Sequence, residues 1–89
     1  MQMDSHEATL ELLNQVTEHQ QDMHKAVKEI RSMKYRTFGR TLVAVSEEQR
    51  TRMIQSKITQ CNQKCKALYN EINRNRLKAG LPEIQNPYK

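Results

Sequence analysis

The chain has no tryptophan, one phenylalanine, two glycines, two prolines and two cysteines in 89 residues. Each scarcity excludes something. A β-sandwich or barrel needs turn residues every 8–12 positions, and Gly39, Gly80, Pro82 and Pro87 are too few to supply them. Aromatics are only 4% of the chain (Tyr35, Phe38, Tyr69 and Tyr88), so a deep core built by one small chain is not expected. No apolar run approaches 18 residues, which excludes a transmembrane helix. The first ten residues, MQMDSHEATL, lack the basic-then-apolar layout of a signal peptide. Two cysteines without secretory features favour a reducing compartment, so a cytoplasmic or nuclear location is expected.

Positive charge is also missing from one place. Residues 1–24 hold five acids and neither lysine nor arginine. Residues 25–89 therefore hold all fifteen bases against the other five acids. Such a split points either to an electrostatic partner or to helix-end chemistry, in which acids favour helix starts and bases favour helix ends.

What is present is helical periodicity. Leu13, Val16, Gln20, Met23, Val27 and Ile30 alternate steps of three and four, the a and d positions of a heptad. Asp4 with Glu7 resembles a helix start, and Lys28, Arg31, Lys34 and Arg36 fill the opposite end. The first helix is expected over about 5–36. Ser46-Glu47-Glu48-Gln49 matches a capping box. Ile54, Ile58, Cys61, Cys65, Leu68 and Ile72 then form a second seam, closed by Gly80 and Pro82. The second helix is expected over about 46–79. Residues 37–45 read as a connector broken at Gly39, and 81–89 as an extended or disordered tail.

The expected fold class is all-α: two long helices forming an antiparallel coiled-coil hairpin. Pairing positions whose numbers sum to 81 sets Leu13 against Leu68, Val16 against Cys65, Met23 against Ile58, and Val27 against Ile54. One seam between two helices buries little against the ~1–2 kcal/mol per residue of backbone ordering. Completion into a bundle by self-association or by a helical partner is therefore expected. Leu10, Leu12, Met33, Phe38, Leu42, Met53 and Tyr69 lie off the seam and are the expected partner-binding residues.

The connector end carries Lys28, Arg31, Lys34, Arg36, Arg40, Arg50, Arg52 and Lys57 against Glu29, Glu47 and Glu48. This basic tip could meet nucleic acid or an anionic membrane. It could equally be a solvated surface. The zinc-finger and helix-turn-helix spacings are absent.

No catalytic constellation is visible, and no enzyme activity, cofactor or small-molecule substrate is expected. Cys61 and Cys65 share one helical face and read as small buried hydrophobes. A zinc site would need His19 and His24 as well, and these fall on opposite flanks of the first seam. The chain thus reads as a protein–protein interaction module, a small adaptor or complex subunit. The alternative is an electrostatic binder acting through the basic tip.

Overall fold

The computed structural model describes residues 5–88. The proposed helix start at Asp4 lies outside them. In chain order come α1 (Ser5–Arg31), β1 (Tyr35–Phe38), β2 (Thr41–Ala44) and α2 (Glu47–Lys78). The protein is mostly helical, and its two helices pack against each other. The Cys61 Sγ lies 3.5 Å from the His19 carbonyl, and Cys65 Sγ lies 3.9 Å from the Val16 carbonyl. Arg50 reaches the Met33 carbonyl at 2.9 Å. Numbers fall along α2 as they rise along α1, so the helices run in opposite directions.

The connector is where the structure departs from the sequence reading. α1 stops at Arg31 rather than continuing to 36, and residues 35–44 form an antiparallel β-hairpin. The helix is closed off locally: the Ser32 hydroxyl donates to the Glu29 and Lys28 carbonyls, and Met33 N–H turns back to the Ile30 carbonyl. Beyond that point Tyr35, Thr37 and Phe38, then Thr41, Leu42 and Val43, include the aromatic and β-branched types that fit an extended chain. The two-residue loop Gly39-Arg40 has φ of +62° at Gly39 and no positive φ at Arg40, the sign pattern of a type II′ turn. A Cβ at residue 39 would meet no atom, so backbone conformation rather than space demands glycine there. Val45 N–H donates to the Lys34 carbonyl at 3.0 Å and closes the hairpin base.

α2 begins with the capping box its sequence spells. Gln49 N–H donates to Ser46 Oγ at 3.1 Å, and Ser46 N–H donates to Gln49 Oε1 at 3.0 Å. The helix ends at Lys78, and Gly80 takes φ of +75° just past it. Leu81 N–H then returns to the Arg76 carbonyl at 2.8 Å.

The tail has no helix or strand among its described residues, and it lies folded back along α2. The Asn73 side-chain amide clasps Ile84 on both sides of its peptide, donating to its carbonyl and accepting from its N–H. Arg76 donates to the Pro82 carbonyl, and Asn86 donates to the Lys66 carbonyl and the Asn70 side chain. Tyr88 ends the strap over Tyr69, with ring centroids 5.9 Å apart.

Val16, Val27, Ile30, Val45, Cys61, Cys65 and Ile72 are buried, and most are seam residues. Val16, Cys61 and Cys65 form a cluster on which Met23, Leu68, Tyr69 and Tyr88 pack. Leu13 and Ile54 are half-buried. Ile58 departs from the seam expectation, because 38% of it remains exposed.

Candidate interaction surfaces

Besides the scattered Leu10, Leu77 and Leu81, apolar side chains are left in water on two surfaces among the described residues. The first is the middle of the helix pair. Met23, Val27 and Ile58 line a groove of about 440 Å³ edged by His24, Lys28 and Arg31. Ile30 and Ile72 on the same seams are buried, whereas Ile58 keeps its outer flank open to this groove. Around the other side of the seam, His19, Asp22, Ala26, Lys57, Cys61 and Lys64 line a smaller hollow of about 130 Å³. His19 and His24 therefore face different hollows, as their flank positions required. Among the described residues, no group of three or more His, Cys, Asp and Glu could hold a metal ion.

The second surface is the hairpin. All eight strand residues are exposed. The register pairs Arg36 with Val43 and Phe38 with Thr41, while Tyr35 pairs with Ala44 and Thr37 with Leu42. Cross-strand partners share a face. Phe38 and Val43 therefore stand on one face of the ribbon, and Tyr35 and Leu42 on the other. Their exposures are 77% and 46%, and 63% and 70%. The Phe38 face overhangs the start of α2, enclosing a mostly apolar hollow of about 450 Å³ with Arg36, Val45, Gln49, Arg52 and Met53.

The other expected partner-binding residues divide between exposed and occupied. Leu10 is exposed on α1, while Leu12 and Met33 are half-buried. Met53 lies in the hairpin hollow. Tyr69 is taken up within the chain, because the tail lays Tyr88 across it. Its partner could not be read from helical periodicity, since that partner arrives from outside both helices.

The basic tip loses two of its eight members to internal work. Arg50 is half-buried, and one guanidinium nitrogen donates to the Met33 and Val45 carbonyls at 2.9 and 3.0 Å. It thereby ties the end of α1 to the start of α2 beneath the hairpin. Arg52 is exposed but pairs with Glu48 one turn earlier, at 2.6 Å. Lys28, Arg31, Lys34, Arg36, Arg40 and Lys57 are exposed.

The two thiols sit in the core, with Sγ atoms 3.9 Å apart and both cysteines reduced. Burial pushes the Cys61 thiol above its ordinary 9.0; the hydrogen bond and charge coupling to Cys65 add to this, and Lys64 opposes it. Burial likewise raises Tyr88 above its ordinary 10.0, while the hydrogen bond with Gln20 acts the other way. A raised thiol pKa keeps the Cys61 sulfur protonated at neutral pH, where it is a poor nucleophile.

No family model matches the chain, and neither a curated protein nor a solved structure matches it.

Proposed function

We propose that this chain is a non-enzymatic protein–protein interaction module of the kind that serves as a small adaptor or complex subunit. Its helices form an antiparallel coiled-coil pair, which the helices of a second chain complete into a bundle. That second chain is another copy or a different helical protein. The supporting observation is the open groove at Met23, Val27 and Ile58, where a seam isoleucine remains more than one-third exposed. A third helix laid into that groove would remove apolar surface from water at about 25 cal/mol per Å². Lys28 and Arg31 edge the groove, so a covering helix with acids at its flanks fits best.

Light scattering combined with melting at several concentrations tests self-association. Assembly predicts a mass above the 10.5 kDa of one chain and a midpoint that rises with concentration. Ile58→Asp should return the mass to that of one chain while retaining helicity. For a different partner, affinity capture from source cells is run with both forms, and Ile58→Asp should lose the captured protein. A concentration-independent single-chain mass, with captured proteins unaffected by Ile58→Asp, would refute the proposal.

A further inference from the structure

We propose that the β-hairpin tip is a docking site for the surface of an anionic phospholipid bilayer. This goes beyond helical association and uses different residues. The hairpin projects large apolar side chains from both faces, with Phe38 on one and Leu42 on the other, straddling the turn. A protein partner lying flat on the ribbon would cover one face and leave the other in water. A lipid interface surrounds an inserted tip on every side.

Charge supplies the second, independent argument. Residues 30–46 contain Arg31, Lys34, Arg36 and Arg40 and no acid. All four cations are exposed. The first acids beyond the hairpin are Glu47 and Glu48, and Glu48 is already engaged by Arg52. Apolar side chains ringed by unanswered cations match the two-part signal that holds a peripheral protein on acidic lipid, with each cation near the surface strengthening binding roughly fivefold. The depth is limited by the backbone. Both outer edges of the two-stranded ribbon carry unpaired N–H and C=O groups, which the hydrocarbon core cannot satisfy. The tip therefore rests among headgroups, where water and phosphate oxygens pair those edges. Arg40, at the turn itself, then meets phosphates.

The test is co-sedimentation of the full chain with vesicles of phosphatidylcholine and phosphatidylserine in a roughly 7:3 ratio, against phosphatidylcholine alone. The expected result is binding to the serine-lipid vesicles only, weakening at least about tenfold between about 50 and 200 mM salt. Arg36→Glu with Arg40→Glu should weaken it by at least about 25-fold. Phe38→Ser with Leu42→Ser should also release the protein, with its far-UV circular dichroism unchanged because these residues support no core. The chain lacks tryptophan, so Phe38→Trp supplies a single reporter whose emission should shift to the blue on serine-lipid vesicles. Lack of binding at low salt, equal binding to the neutral vesicles, or an unshifted reporter would overturn the proposal. So would equally strong binding to a DNA duplex that survives Phe38→Ser with Leu42→Ser, since that is simple polycation behaviour. Binding by Ile58→Asp should match the parent chain, which separates this site from the helical groove.

Discussion

Replacing Arg50 with alanine should destabilise the fold by about 2 kcal/mol, although a sequence comparison of charges would place it among solvated surface cations. Its guanidinium donates to the Met33 and Val45 carbonyls, one just past α1 and the other just before α2. Hydrogen bonds involving a charged group contribute about 1.5–3 kcal/mol each when well sheltered. Arg50 is half-buried, and water can partly replace it at both carbonyls, so about 1 kcal/mol per bond is the appropriate figure. For a domain of this size, 2 kcal/mol lowers the melting midpoint by roughly 8–16 °C. Thermal and urea unfolding followed by far-UV circular dichroism measures it directly. Arg50→Lys should recover only part of the loss, because its ammonium is more strongly hydrated and sits on a shorter stem than the guanidinium nitrogen that serves both carbonyls. Arg52→Ala is the matched control. That side chain makes an exposed pair with Glu48 and should cost at most about 1 kcal/mol. If Arg50→Ala and Arg52→Ala proved equally mild, the brace beneath the hairpin would be wrong.

Ser46→Ala removes the acceptor for Gln49 N–H and should cost about 1 kcal/mol in the same unfolding assays, whereas Ser46→Asp should retain most of the cap. The buried Cys61 thiol makes stability depend on alkaline pH. Cys61 keeps its proton in the folded state to a higher pH than when unfolded, so its contribution is complete below the ordinary 9.0 and declines as pH rises through the folded value. Tyr88, raised above 10.0, adds to the loss in the same direction. Urea midpoints measured from about pH 7 to about pH 10.5 should therefore fall, and Cys61→Ala should flatten the first part of the decline. A flat profile for the parent chain would contradict the burial of both groups.

Much of this molecule is written locally. Ser46 and Gln49 cap α2 because their side chains reach backbone donors three residues away. Gly80 ends that helix because only a residue without Cβ adopts positive φ at low cost. The spacing of Val16, Val27, Ile30, Cys61, Cys65 and Ile72 selects the buried faces on which the two helices pack against each other. The hairpin was written too, in the Gly-X pair at Gly39-Arg40 between Tyr35–Phe38 and Thr41–Ala44. It is hard to see because its strands lack the alternation of apolar and polar residues that burial of one face imposes. Cations at Lys34 and Arg36 instead resemble a continuing helix end.

Tertiary structure alone decided the rest. Arg50 and Arg52 are the same residue type two positions apart, yet one is an inward brace and the other an exposed pair, according to which carbonyls lie within reach. Tyr69 belongs to the tail because Tyr88 lands on it after the chain reverses past Gly80. Ile58 has the seam's periodicity but not the burial of Ile30 and Ile72, a difference that periodicity cannot encode. The sequence determined which elements form, because capping, turn conformation and periodicity act between near neighbours. The assignment of side chains to core, brace or open surface depended on groups distant in sequence, whose positions exist only once the helices, hairpin and tail have met.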